Sequence, residues 1–215
     1  MPELAPPSIE TDDLSPQALA HAAQRAGELM ELIWRQRDAG ADLWVFGYAS
    51  LIWHPEVHHT ERRTGRVYGF HRSFRMRSRV NRGTPQRPGL VFALRPGGSC
   101  AGVALRVPRE RARAELERLW QREMPLPTYE PRWLSCHTPR GVVQALAFIL
   151  PRSSPSYTGT LNDEAMLAVL RHARGRYGTT LEYLLRTEAS LRELGIRDEE
   201  VHRLVNLARH HGLTG

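Results

Sequence analysis

Residues 44–53, Trp44-Val45-Phe46-Gly47-Tyr48-Ala49-Ser50-Leu51-Ile52-Trp53, constrain what the chain can fold into more than any other stretch. Trp44-Val45-Phe46 begins as a buried strand. Gly47-Tyr48-Ala49-Ser50 then breaks it with residues that let backbone amides approach a ligand, and Leu51-Ile52-Trp53 turns apolar again at once. A strand that opens into such a loop and stays buried is a candidate anion cradle, because successive N–H groups can converge there. A β-turn packed beneath two tryptophans fits the same pattern, since short apolar runs are ambiguous.

A chain of 215 residues fits one domain with helical appendages and is long enough to bury a real core. Hydrophobic residues make up 41% and charged residues 25%, the balance of a soluble globular protein. Cys100 and Cys136 form no CxxC pair, so free thiols in a reducing compartment are expected rather than a disulfide. The start of the chain has no basic n-region and no apolar h-region, and no run of about 18 apolar residues occurs anywhere. Neither a signal peptide nor a transmembrane helix is expected, and the location expected is cytoplasmic. The net charge of +7 raises the question of nucleic acid. Its source is arginine spread along the chain, densest at Arg72, Arg75, Arg77, Arg79 and Arg82. Arginine captures carboxylates as readily as phosphates, so the charge does not by itself name a nucleic-acid or membrane partner.

Composition and periodicity divide the chain further. Residues 1–14, rich in proline and acids, are expected to be disordered. Ser15-Pro16 supplies an N-cap and a first-turn proline for a helix reaching about Asp38, stopped by Gly40. Strands are expected at about 43–47, 66–77, 89–95 and 101–107, with a loop at 81–89. A helix should follow Pro108 and end by Pro125; strands at 132–137 and 142–150 come next, then a loop at 153–159. Residues 162–212 read as three helices broken near Gly178 and Gly195-Ile196. This order predicts an α+β fold, with a small mixed sheet that can close into a barrel.

On the predicted helix 109–123, Ala112, Leu116, Leu119 and Trp120 share a face at about 100° per residue. Glu123 falls between Leu116 and Leu119, near the centre of that stripe, while Glu110, Glu115 and Glu117 fall on its flanks or outside. A carboxylate buried there resists ionisation, and desolvation moves its pKa toward the range of a general base. If the helix ends first, Glu123 instead faces solvent or pairs with an arginine. His54, His58 and His59 lie close in sequence but lack an HExxH or Cys/His framework, so no metal site is expected. Ser50 is not in a GxSxG elbow, and no Walker or dinucleotide fingerprint is present. Tyr157, in Ser156-Tyr157-Thr158-Gly159, is a packing anchor or a hydroxyl donor into a pocket.

Val45-Phe46-Gly47-Tyr48-Ala49-Ser50-Leu51-Ile52-Trp53 resembles the opening motif of the ChaC-type γ-glutamylcyclotransferases. Further motifs follow in order: Glu61-Arg62-Arg63 with Gly65 ahead of the second strand, Arg82-Gly83-Thr84-Pro85, Arg122-Glu123, Tyr157-Thr158-Gly159, and Glu182-Tyr183-Leu184 with Ser190-Leu191-Arg192-Glu193-Leu194-Gly195. The resemblance covers about residues 43–210. Ala49 stands where the family usually has glycine, so its methyl group is expected to narrow the pocket or restrict φ. Thr180 stands where the family often has asparagine.

The resemblance implies a γ-glutamylcyclotransferase-like domain over 41–212, preceded by the helical segment 15–40. It implies cyclisation of glutathione to 5-oxoproline with release of cysteinylglycine, without metal or other cofactor. Glu123 would be the catalytic base; Gly47, Tyr48, Ala49, Ser50, Leu51, Ile52 and Tyr157 would bind substrate. The partner implied is glutathione, with no nucleic acid and no membrane, in a monomer or homodimer. Two alternatives remain at this level: a weakly active or inactive relative that binds γ-glutamyl compounds, motivated by Ala49, and a basic partner-binding module, resting on charge alone.

Overall fold

The computed structural model describes residues 15–124 and 128–214. The segment 1–14 and Pro125, both addressed from sequence, lie outside the described residues. Helix α1, Pro16–Gln36, starts where expected: the Ser15 hydroxyl accepts a hydrogen bond from the Ala18 amide at 3.2 Å, and Pro16 occupies the first turn. Ala26 and Ile33 form its buried side.

Five strands close a barrel in the order β1-β3-β2-β4-β5, from β1 (Leu43–Gly47), β2 (Glu61–Ser78), β3 (Gly89–Val107), β4 (Glu130–Thr138) and β5 (Gly141–Ile149). β1 pairs antiparallel with β3 (Leu43 with Val107) and parallel with β5 (Trp44 with Ala145), which closes the ring. Phe46, Phe74, Phe92 and Phe148 fill the interior. The α+β class with a small mixed barrel is thus the observed one.

Two strand expectations need correction. The segments 89–95 and 101–107 are one continuous strand, β3. Tyr68 pairs with Ser99 but Phe70 pairs with Pro96, so β3 carries one extra residue there. Gly97 and Gly98, at φ +107° and +71°, take the left-handed conformations of this bulge. Their composition reads as a loop, yet the ladder resumes beyond them. β2 likewise starts at Glu61 rather than about 66. Its first residues look like a charged loop because they face outward, where Glu61 binds Arg63 at 2.8 Å and Arg140 at 2.8 Å. A second bulge, on β2 between Ser73 and Met76, leaves the Phe74 amide outside the ladder.

Between β1 and β2 lies a single helical turn, α2 (Ser50–Trp53). Helix α3, Ala112–Glu123, follows β3. After the barrel come α4 (Asp163–His172), the two-residue strands β6 (Arg174–Gly175) and β7 (Gly178–Thr179), α5 (Thr180–Glu193) and α6 (Glu199–His210). Caps set their starts: Asn162 for α4, Thr179 with Glu182 in a capping box for α5, and Asp198 for α6. α1 covers α3 and β4. The indoles of Trp120 and Trp133 donate to the carbonyls of Ala26 (2.9 Å) and Ile33 (3.3 Å). α1 therefore backs the helix that carries Glu123.

Candidate active site

A cavity of about 900 Å³ opens between the β1–α2 turn, the end of α3, the wall of β3 and the first half of α5. Tyr48, Ala49, Ser50, Leu51 and Glu123 all line it. Gly47 and Ile52 stand behind that wall. A Cβ on Gly47 would come 2.9 Å from Leu51 Cβ and 3.1 Å from Val103 Cγ2, so only glycine lets the turn fold back this closely. Ile52 is 2% exposed, and its amide donates to the Ala49 carbonyl at 2.8 Å. Ala49 itself has φ −146°, outside the left-handed region that favours glycine, and it is one of the lining residues.

The turn is held from both sides. Beneath it, the fully buried Arg72 donates from Nε to the Tyr48 carbonyl at 2.6 Å and from Nη2 to the Ala101 carbonyl at 2.5 Å; it also pairs with Asp198, the N-cap of α6. The Tyr48 hydroxyl donates to the Phe148 carbonyl at 3.1 Å, and burial pushes that phenol well above its ordinary pKa. Of the two tryptophans in the motif, Trp44 lies under the Arg63 guanidinium (4.5 Å), while Trp53 lines the cavity.

Glu123 is the last residue of α3, capped by Met124. Ala112, Leu116, Leu119 and Trp120 are buried as the helical pattern predicts. Glu115, one of the acids placed on the flanks of the stripe or outside it, is itself buried: it is 6% exposed, and the His58 amide donates to it at 3.0 Å. Burial raises the Glu123 pKa, the adjacent Arg122 guanidinium lowers it, and Glu56 raises it again; the balance lies above the ordinary carboxylate. Arg122 is the hub of this arrangement. Its Nε lies 3.1 Å from Glu123 and its Nη1 2.9 Å from Glu56, while Nη1 donates to the His54 carbonyl (2.8 Å) and Nη2 to Ser50 Oγ (2.9 Å). Glu56 reaches this position from a left-handed backbone, φ +51°. Its other carboxylate oxygen meets His54 Nε2 at 2.5 Å.

Tyr157 is not among the cavity-lining residues. It bridges to Met76 on β2, and its ring lies 3.6 Å beneath the Arg95 guanidinium. Hydrogen bonds from Arg95 and Arg75 lower its phenol pKa. Met76 connects this loop to the cavity, since Tyr129, a lining residue, places its hydroxyl 2.8 Å from the Met76 sulfur. Cys100 and Cys136 are both buried and free, and burial pushes Cys136 up to about 11. No group of three or more His, Cys, Asp or Glu side chains able to hold a metal ion occurs among the described residues, and none of their helices is long and apolar enough to cross a membrane.

Sequence reasoning left several lining residues without a role. Arg82 and Tyr183 stand inside quoted motifs, so the signal was present. Thr180, beside Tyr183, is buried and donates to the Arg82 carbonyl at 3.1 Å, which ties the two motifs together. Glu56, Tyr129 and Arg186 carry no local pattern that marks them; only the closing of the barrel brings them to the cavity.

The ChaC-like protein family model matches residues 43–211, nearly the span of the sequence motifs. The chain is 37% identical over 185 residues to a glutathione-specific γ-glutamylcyclotransferase of Escherichia coli, covering 86% of this chain and 80% of that protein. A glutathione-specific γ-glutamylcyclotransferase of Schizosaccharomyces pombe is 30% identical over 178 residues, 74% of this chain and 88% of the other. In three dimensions the chain resembles a crystal structure of a yeast γ-glutamyl cyclotransferase specific to glutathione, with a TM-score of 0.72 at 24% identity over 80% of this chain and 97% of that one. The motif at the cavity mouth, the barrel behind it and the family match over 43–211 agree: the chain belongs to the ChaC-like proteins.

Proposed function

We propose that this protein is a γ-glutamylcyclotransferase that degrades glutathione to 5-oxoproline and cysteinylglycine, with Glu123 as general base. One observation carries the reading: a carboxylate whose pKa is raised by burial shares a cavity with the small-residue turn at 48–51. The substrate is taken from the names of the relatives.

The chemistry asks for little else. The α-ammonium of the γ-glutamyl group loses a proton to ionised Glu123. The freed amine nitrogen attacks its own γ-carbonyl carbon, and a tetrahedral oxyanion forms. The oxyanion collapses and the amide C–N bond to cysteine breaks as the proton held by Glu123 passes to the departing amine. The attacking nitrogen then gives its second proton to the freed Glu123 carboxylate, which passes it to the released amine, so that the lactam keeps one N–H and the base is ionised again. Folding the γ-glutamyl group onto itself makes the step intramolecular, which proximity rewards strongly. Amides of the 48–51 turn are suited to the glutamyl carboxylate or to the oxyanion. Arg122 keeps the turn and Glu123 in register, since one guanidinium holds both. Tyr157 acts on this site through Met76 and Tyr129 rather than by direct contact with the cavity.

Glu123→Gln tests the assignment. Loss of a general base costs roughly 10²–10⁴-fold in rate. 5-Oxoproline formation by purified protein should fall by at least the lower figure while the circular dichroism spectrum is retained. A Gln variant with undiminished turnover would remove Glu123 from the mechanism.

A further inference from the structure

Four arginines line the cavity: Arg82, Arg118, Arg122 and Arg186. Two are neutralised. Arg122 pairs with Glu56 and Glu123, and Arg118 lies 3.6 Å from Glu115. Among the described residues, Arg82 and Arg186 form no ion pair with a carboxylate. Glu182 attracts Arg82, but its carboxylate is tied into the cap of α5, accepting from the Thr179 amide at 2.7 Å.

These two guanidiniums meet at one indole. Arg82 is 6% exposed, donates to the Tyr177 carbonyl, and lies 5.2 Å from the Tyr183 ring centroid and 6.0 Å from that of Trp53. Arg186, one turn beyond Tyr183 on α5, is exposed and lies 5.5 Å from the same Trp53 ring. A guanidinium stacked on an aromatic face keeps its in-plane N–H groups free for a carboxylate. Burial lowers the Arg82 pKa and the charge of Arg186 lowers it further, while Tyr183 and Glu182 pull it back only in part, so the balance stays below the ordinary guanidinium value. The cavity is therefore divided by charge: its two carboxylates gather on Arg122, and its two unpaired cations gather on Trp53.

We propose that Arg186 and Arg82 form the subsite for the C-terminal carboxylate of the substrate, so that the protein selects γ-glutamyl peptides ending in a free acid over γ-glutamyl amides and amines. This rests on the cyclotransferase reading. The α-carboxylate of the γ-glutamyl group shares a carbon with the attacking amine, which places it beside Glu123. The other carboxylate of glutathione sits at the far end of the leaving dipeptide, and that half has to reach an exposed, cationic exit. Arg186 is such an exit group, and Arg82 is the buried member behind it.

The test begins with the unmodified protein and two substrates, glutathione and its glycine amide. kcat/KM should be about tenfold or more lower for the amide, as expected when a charge-assisted hydrogen bond is lost, with the change mainly in KM. In Arg186→Gln the KM for glutathione should rise about tenfold, the KM for the amide should rise far less, and Arg186→Lys should recover part of the difference. Equal kcat/KM for acid and amide in the unmodified protein overturns the subsite while leaving the cyclotransferase reading intact. An equal rise for both substrates in Arg186→Gln also overturns it. If no γ-glutamyl peptide yields 5-oxoproline, the cyclotransferase reading fails. Calorimetry then decides the subsite separately: tighter binding of glutathione than of its amide supports it, and equal affinity ends it.

Discussion

Arg122 holds Ser50, the His54 carbonyl, Glu56 and Glu123 with one planar group, a task that lysine's single ammonium cannot share out in the same way. Its neighbours set the acidity of Glu123 in opposite directions, which gives a paired prediction. Glu56 raises the Glu123 pKa and Arg122 lowers it. Glu56→Gln should therefore move the acid limb of the kcat/KM profile to lower pH, and Arg122→Gln should move it to higher pH. Shifts in the same direction would show that the limb belongs to another group. The unmodified protein's limb should itself lie above 4.5, because a base must be ionised to act and this one resists ionisation. Ala49 is the other residue whose effect is local. Ala49 lines the cavity, so Ala49→Gly should raise kcat/KM for glutathione by about tenfold, the low end of what a single methyl group in a pocket is worth. An unchanged value would mean that the methyl does not reach the substrate. At this scale Glu123 was legible because helical periodicity set a charge inside an apolar stripe. Glu56 was not, because its place depends on one left-handed residue in a turn that no periodicity describes.

Elements differ in how openly the sequence declares them. The start of α1 was legible because capping chemistry is local and Ser15 precedes a proline. Asn162, Thr179 and Asp198 likewise accept from an amide three residues on, but the sequence places the last three helices only by the breaks near Gly178 and Gly195-Ile196. β3 was not legible, because a Pro-Gly-Gly run has the composition of a loop and only the partner strand shows that it is a bulge. The bulge on β2 is less visible still, since Ser73-Phe74-Arg75-Met76 contains no glycine. Its structural cost is the orphaned Phe74 amide, which donates to Glu200 of α6 at 3.0 Å. Removing that acceptor leaves a buried donor unsatisfied, worth about 1–3 kcal/mol. Glu200→Ala should lower Tm by roughly 2–10 °C for a chain of this size. Glu199→Ala, one residue away and exposed, should change it little. Equal effects of the two substitutions would show that the Phe74 amide finds another partner. The same bulged region brings Arg75 to Thr158, whose amide donates to the Arg75 carbonyl at 3.0 Å, so a strand irregularity also fixes the Tyr157 loop.

Over the whole molecule, the outer carboxylates and the cavity carboxylate answer pH with opposite sign. Hydrogen bonding from Arg63 holds Glu61 down at about 2. Burial pushes Asp42 up, but bonds from Arg106 and the Arg109 amide outweigh it, and Glu31 is lowered by Arg113. A group whose pKa is depressed by folding stabilises the fold above its unfolded value and loses that contribution as pH falls through its folded value. These outer ion pairs should therefore weaken between about pH 5 and pH 2. Glu123 behaves the other way. Its pKa is raised on folding, so its contribution is most favourable below the unfolded value of 4.5 and is lost as pH rises through the higher folded value. Above that folded value the fold bears the cost of an ionised, buried carboxylate that Arg122 only partly offsets. Glutamine matches the shape of the neutral acid without that cost. Glu123→Gln should consequently melt at a higher temperature than the unmodified protein at pH 7, with the gap closing as pH is brought down to about 4, where the unmodified side chain is itself protonated. Thermal unfolding of both proteins at the two pH values measures it. A variant that is no more stable at pH 7, or a gap that does not change with pH, would show that the cavity accommodates the Glu123 charge without strain and that burial is not what makes this carboxylate a base.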